Sequence, residues 1–230
     1  MKKRPLFYKS VFSHGELEQC FAELIHSPMN DQDKIEVGCL IQYFSILTHH
    51  GLFHLPVDLI KNRQGQGPDF TVCNEAIFGV EMTKVTTQDY QVWLKKRLNY
   101  RPIRNMADYA EHRPEARVCD LAMLRVQRKN FKISNYLSAV KDMEYCDLVL
   151  EEDGDCGMDI EVLFDLLTTH IPRIKYQRFK RISMLSGSVL YYAVNTPYAT
   201  VLTAPELRPA WLKPGVARQM LAMPQTLQWH

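Results

Sequence analysis

An α/β fold, with a mixed central sheet and helices on both of its faces, is what this sequence predicts. Three observations predict it. Residues 31–49 carry apolar side chains at helical spacing (Val37, Leu40, Ile41, Phe44, Leu47). Two β-rich runs, Asp69 to Cys73 and Ala76 to Val85, are joined by Asn74-Glu75, a tight hairpin signal. A helical stretch from Val118 to Val140 then leads into the apolar run Cys146 to Leu150, the pattern of a crossover into a buried strand. A hairpin followed by a helical crossover implies a sheet of mixed direction.

The elements follow in order. Ser13 with Glu16 three residues later is a capping-box signature, and Leu17, Cys20, Phe21, Leu24 and Ile25 continue it as a helix over about 14–27. Pro28 breaks that helix, Asp31 or Asp33 can cap the next, and Gly51 ends it. Leu52 to Ile60 reads as a first strand or extended segment, and Arg63 to Gly67 as a turn. Residues 88–116 are basic and polar with interleaved aromatics (Tyr90, Trp93, Tyr100, Tyr109), an excursion of partly helical character. Asp159 caps a helix with Ile160, Leu163, Phe164 and Leu167 inward. Arg181 to Leu185 and Val189 to Val194 form a strand pair around Ser186-Gly187-Ser188, and the proline-rich tail after Thr203 reads as an irregular wrap.

Composition bounds the function. The 230 residues, 46% hydrophobic and 10% aromatic, suffice for one sizeable core, so a single domain over 1–230 is expected. Its core would span about 30–151, with a C-terminal addition over 152–230. Mean hydropathy is −0.25, and no apolar run approaches the roughly 20 residues that cross a bilayer. Met1 to Arg4 is basic, but Tyr8, Lys9, Ser13, His14 and Glu16 break any following apolar region. A cytoplasmic protein without a membrane partner is therefore expected. The six cysteines show no Cys-x-x-Cys pairing and read as free thiols in a reducing compartment. Net charge is only +2, yet its distribution is uneven. Lys95 to Lys132 holds eleven Lys/Arg against four Asp/Glu, Asp142 to Pro172 holds ten Asp/Glu and no Lys/Arg, and Arg173 to Arg181 holds five Lys/Arg and no acid. Basic stretches of this kind suit a phosphate backbone.

The chemistry concentrates in Gly67-Pro68-Asp69-Phe70 and Gly79-Val80-Glu81-Met82-Thr83-Lys84. Asp69 opens one strand and Glu81 sits within the next. Two carboxylates on neighbouring strands can fix a hard divalent cation. Side chains alternate along a strand, so Glu81 and Thr83 share a face while Met82 and Lys84 take the other. With Asn74-Glu75 at the tip, the hairpin brings Asp69 beside the Glu81 end of its partner. Neither a phosphate-binding Gly-rich loop nor a nucleophile elbow is present, and Asp153 to Asp159 lacks the spacing of a calcium-binding loop. His49, His50 and His54 cluster near Gly51 and could ligate metal or shuttle protons, although loop histidines usually do neither.

This order of elements, with Pro68-Asp69 and Glu81-x-Thr83, resembles the PD-(D/E)XK superfamily of restriction-endonuclease-like phosphodiesterases over about residues 30–151. The Asp147-Leu-Val-Leu strand and the Ile182-Ser-Met-Leu-Ser-Gly run are also similar to uncharacterised bacterial members with a Gly-x-Glu-x-Thr motif. The resemblance implies an α-β-β-β-α-β core and a nuclease acting on nucleic acid, DNA foremost. Asp69 and Glu81 would bind Mg²⁺ or Mn²⁺, with the Met82 carbonyl and Glu36, on the first core helix, as further ligands. The metal would polarise the scissile phosphate and activate water.

Thr83 occupies the slot of the family's lysine. Three outcomes stand open: a β-bulge turns Lys84 inward, a lysine of the following helix reaches in, or the site is inactive and the chain is a binding module. At 100° per residue Lys129 falls on the stripe of Val126, Ile133 and Leu137, with Lys132 about 60° further round and Tyr136 one turn beyond it. Lys95, Lys96, Arg97, Arg101, Arg104, Arg128 and Lys132 would grip the nucleic acid, and cutting both strands of a duplex would call for a homodimer.

Overall fold

Of the 230 residues, the computed structural model of the chain describes 5–63, 65, 67–85, 114–152, 159–205 and 207. These form one eight-stranded mixed sheet with five α-helices and two short 3₁₀ turns. In chain order the strands are β1 (Phe7–Val11), β2 (Val57–Lys61), β3 (Phe70–Cys73), β4 (Ile77–Lys84), β5 (Tyr145–Glu152), β6 (Ile182–Ser186), β7 (Val189–Tyr192) and β8 (Thr200–Thr203). The helices are α1 (His14–Glu23), α2 (Asp31–His49), α3 (Pro114–Asn130), α4 (Ile133–Ala139) and α5 (Ile160–His170).

The strands lie in sequence order from β1 to β8. β1 to β4 pair antiparallel, β4–β5 and β5–β6 pair parallel, and β6 to β8 return to antiparallel. The parallel centre needs long crossovers, and α3 with α4 lies in one of them and α5 in the next. Edge strands β1 and β8 were not expected from the sequence. Each is short and carries only one fully buried residue, Val11 and Leu202, so neither shows a clean two-residue alternation.

Two apolar clusters cover the two faces of the sheet. Val57, Leu59, Phe70, Val72, Val80, Met82 and Val149 point toward α1 and α2. Cys146, Leu148, Leu150, Ile182 and Met184 point toward α3, α4 and α5. Fully buried Leu148 and its like are each worth about 1.5–3 kcal/mol over exposure. Strand alternation therefore commits Glu81 and Thr83 to the α3–α4 side, as expected, and Met82 to the α2 side.

The caps explain where helices start. The Ser13 hydroxyl accepts from the Glu16 amide at 3.3 Å, and the Glu16 carboxylate reaches back to the Phe12 amide at 2.9 Å. Asp159 caps α5 through the amides of Glu161 and Val162. α2 is capped by Asn30, whose side chain accepts from the Asp33 amide at 2.8 Å, rather than by Asp31 or Asp33. The run expected over Leu52 to Ile60 is β2, which starts only at Val57 and ends at Lys61.

The helix expected over 118–140 is two helices with a turn at Phe131-Lys132. Asn130 ends α3, and its side-chain oxygen accepts from the Arg178 amide at 3.2 Å, which holds the turn open. Leu137 consequently leaves the buried stripe and lies at the surface. Residues 88–113 of the basic excursion, the tail beyond 207 and most of the Asp153 to Asp159 loop fall outside the described residues, while 114–116 open α3. Five cysteines (Cys20, Cys39, Cys73, Cys119, Cys146) are free thiols. Among the described residues no helix is long and apolar enough to cross a membrane.

Candidate active site

The site begins with a turn only glycine suits. Gly67 has φ +139°, a conformation that side chains disfavour, and delivers Pro68 and Asp69 to the start of β3. Asn62, just after β2, ties this turn down. Its amide nitrogen donates to the Pro68 carbonyl and to the Thr71 hydroxyl, both at 2.9 Å, and its backbone N–H donates to the Asp69 carbonyl at 2.9 Å. Across β4, Gly79 leaves room for the proline ring: a Cβ there would sit 2.8 Å from Pro68 Cγ and 3.0 Å from Cys146 Sγ.

Phe70 pairs with Val80, so one step outward sets Asp69 beside Glu81. The Asp69 backbone N–H donates to Glu81 Oε2 at 3.1 Å, and the Met82 N–H donates to Asp69 Oδ2 at 2.9 Å. Each carboxylate is thus fixed by a backbone N–H of the neighbouring strand segment, Glu81 by Asp69 and Asp69 by Met82. Glu81 is 1% exposed. Its Oε1 accepts from the Lys129 ammonium and from the Tyr136 hydroxyl, the latter at 2.8 Å. Three donors converge on one buried carboxylate, which is how such a charge is tolerated.

The electrostatics follow from burial. Asp69 is pushed up to about 6, first by desolvation and then by the adjacent Glu81 charge, with Lys129 and the Met82 amide pulling the other way. The Tyr136 phenol is raised well above its usual range by burial and by Glu81, so at neutral pH it is an O–H donor. A pocket of about 380 Å³ opens over the pair. Asp69 and Glu81 line it together with Arg63 on one side and Lys129, Lys132 and Asn135 on the other.

Several expected residues meet here and others do not. Asp69, Glu81, Lys129, Lys132 and Tyr136 share the pocket. Thr83 lies on the same strand face, 8% exposed. The β4–β5 register runs unbroken from Phe78 to Lys84, so no bulge turns Lys84 inward, and it stands opposite Glu151 on the other face. Glu36 does not line the pocket. Its carboxylate accepts from the Lys61 ammonium and from Gln32, and Lys61 also sits 3.3 Å from Asp33. Lys61 is 3% exposed and lies 4.8 Å from the Phe70 ring centroid, so it needs both acids as compensation. Met82 offers its backbone to Asp69 while its side chain packs on the α2 side. Arg128 is exposed near the end of α3. Lys95, Lys96, Arg97, Arg101 and Arg104 lie outside the described residues. His50 bonds the Thr203 carbonyl at 2.7 Å, away from the site. Asn62, Arg63 and Asn135 were not anticipated. The Arg63 to Gly67 turn before Pro68 was the only signal that pointed toward the first two.

Paired carboxylates are donors of the kind that hard divalent cations accept. Mg²⁺ is commonly held by one or two carboxylates with water completing its shell. Asp69 keeps one carboxylate oxygen without a hydrogen bond from the described residues, on the pocket side of the pair. Among the described residues no group of three or more His, Cys, Asp or Glu is placed to hold a metal. The carboxylates that line the pocket are Asp69 and Glu81.

Searches against protein-family models, curated proteins and solved structures return no match.

Proposed function

We propose that this chain is a Mg²⁺- or Mn²⁺-dependent nuclease that hydrolyses DNA phosphodiester bonds on a restriction-endonuclease-like core. The observation that carries the reading is the junction of Asp69, Glu81, Lys129 and Tyr136 at one pocket. The order α2, β2, β3, β4, α3–α4, β5 supports it as well, since it follows the α-β-β-β-α-β succession. Asp69 and Glu81 would hold the ion, which when bound supplies Lewis-acid polarisation of the scissile phosphate. Lys129 provides, from the crossover helix, the positive charge that Thr83 cannot carry. It stabilises negative charge accumulating on the phosphoryl oxygens. Tyr136 orients Glu81 by donating to it. Arg63 and Lys132, on opposite rims, pair with backbone phosphates to either side of the reacting one.

A second reading, a non-catalytic nucleic-acid or protein-binding module, has one observation in its favour. Every oxygen of Glu81 already has a protein donor, as in a structural ion pair. Cleavage of supercoiled plasmid and of single-stranded DNA in Mg²⁺ or Mn²⁺ separates the two. Wild-type protein is expected to cut, and Asp69→Ala and Glu81→Ala to cut at least about 10³-fold more slowly. Cleavage that survives both substitutions would sink the nuclease reading. DNA binding without any cutting would select the module.

A further inference from the structure

We propose that a second pocket, beside the α3–α4 turn, stacks an unpaired nucleotide of the substrate strand next to the site of cleavage. The proposal rests on the nuclease reading of the carboxylate pocket and adds the substrate class: nucleic acid with bases out of the duplex near the reacting phosphate.

The pocket has a volume of about 600 Å³. Phe131 and Tyr176 line it at 85% and 87% exposure, the two most exposed of the large apolar and aromatic side chains described. Aromatic rings this open add little to a core. Arg173, Lys175 and Arg178 line the same pocket, and none of its lining residues is acidic. Flat rings bordered by cations match a nucleotide: the base face meets an aromatic, and its phosphates meet ammonium and guanidinium groups. A protein partner would find no acid there to pair with its own cations, whereas a polyanion finds only complementary charge.

Tyr176 has φ +60°, a left-handed conformation uncommon for an aromatic residue. Strained backbone of this kind persists where the surroundings impose it, and it gathers at binding sites. Here the segment is clasped to the turn on either side of Phe131. The Arg178 amide donates to Asn130 at 3.2 Å, and the Arg178 guanidinium donates to the Ser134 hydroxyl at 2.5 Å.

Continuity with the carboxylate pocket comes from the same turn. Lys129 and Lys132 line the pocket over Asp69 and Glu81, while Asn130 and Phe131, between them, line the second pocket. A strand whose phosphate lies between Lys129 and Lys132 would have Phe131, which falls between them in the chain, beside its path. A base locked in a duplex stack cannot present its face to Phe131 or Tyr176. An unpaired one can.

The test measures binding in EDTA, so that cleavage cannot consume the probe. Fluorescence anisotropy of a labelled 20-mer single-stranded DNA is compared with that of the matching duplex. Tyr176→Asn removes the ring while suiting the left-handed backbone, so folding is retained, and Phe131→Ala removes the other ring. Single-strand affinity is expected to fall roughly ten-fold in each, with duplex affinity changed less than about two-fold. Tyr176→Phe and Phe131→Tyr keep the ring and restore single-strand binding. Unchanged single-strand affinity in both ring-removing variants overturns the proposal, and so does an equal loss on duplex. If Asp69-dependent cleavage holds while ring removal is silent, the stacking site falls and the nuclease stands. If ring removal weakens single-strand binding but no metal supports cleavage, the stacking site stands and the nuclease falls.

Discussion

Two buried carboxylates sit on adjacent strands of one sheet, Glu81 on β4 and Asp147 on β5, each 1% exposed and each given a cation. They serve different ends. Asp147 faces the α2 side and receives the Arg181 guanidinium through Nε at 2.9 Å and a second nitrogen, plus the Arg181 amide at 3.1 Å. Arg181 in turn donates to Tyr192 at 2.7 Å, and Lys180 lies 3.7 Å from the centroid of the Tyr145 ring. Both guanidinium nitrogens donate to Oδ2 and the amide to Oδ1, so each oxygen of Asp147 has a donor from Arg181 and no second carboxylate takes part. Glu81 faces the α3–α4 side, where its cation is a single ammonium on a flexible stem. A second acid, Asp69, sits beside it with an oxygen to spare, and a pocket lies above. The contrast teaches that burial and ion pairing alone do not mark a reactive site. An adjoining, incompletely satisfied acid and open volume do.

The comparison can be broken most forcefully at Arg181. Arg181→Met keeps the stem but leaves Asp147 without its guanidinium. Breaking a buried pair in this way is expected to cost about 3–5 kcal/mol of unfolding free energy, measured by urea denaturation, with no relief from added Mg²⁺. Lys129→Met tests the other pair. Tyr136 and the Asp69 amide still serve Glu81, so the stability loss should be nearer 1–2 kcal/mol, and millimolar Mg²⁺ should recover part of it. Cleavage, by contrast, should slow roughly 10²–10³-fold in single-turnover assays. Equal stability losses in the two variants, both insensitive to Mg²⁺, would erase the distinction.

The pH dependence sharpens it further. Asp69 titrates at about 6 in the folded chain against an ordinary 3.8. Between these values the folded state binds more protons than the unfolded one. Without metal, its contribution to stability is present below about 4 and lost as pH rises through about 6. Melting temperatures across this window should fall with pH more steeply in the wild type than in Asp69→Asn. Matching slopes would mean that Asp69 is not held where desolvation raises it. The smallest effect is expected at Lys84, which the unbroken register keeps off the Glu81 face. Lys84→Ala should change the cleavage rate by less than about two-fold, within the scatter of an ordinary surface change. A loss matching that of Lys129→Met would show that Lys84 reaches the carboxylates after all.

Much of the carboxylate site was legible because it depends on short periods. Alternation along β4 separated Glu81 and Thr83 from Met82 and Lys84, and helical spacing put Lys129 on the stripe of Val126 and Ile133, with Tyr136 one turn beyond Lys132. The turn at Phe131-Lys132 was not legible. The Asn130 side chain at this turn accepts a hydrogen bond from the Arg178 amide, 48 residues away, a contact that no local pattern announces. Helical periodicity carried through the break and misplaced Leu137. The partner of Glu36 was not legible either: it is Lys61, a buried cation whose neighbours only the sheet register reveals. The Asp147–Arg181 pair spans 34 residues and left no local pattern.

Gly79 has no functional group, yet it sets the spacing of the two acids. An added methyl group would meet the Pro68 ring at 2.8 Å and Met143 Sδ at 3.1 Å. The ring precedes Asp69 directly, so whatever moves it moves the carboxylate. On the proposed nuclease reading, a genetic screen for loss of DNA cutting would therefore collect substitutions at a strand glycine that leave every charge and every proton donor in place. The tolerance of this position to change is a gauge of how finely the acids must be set.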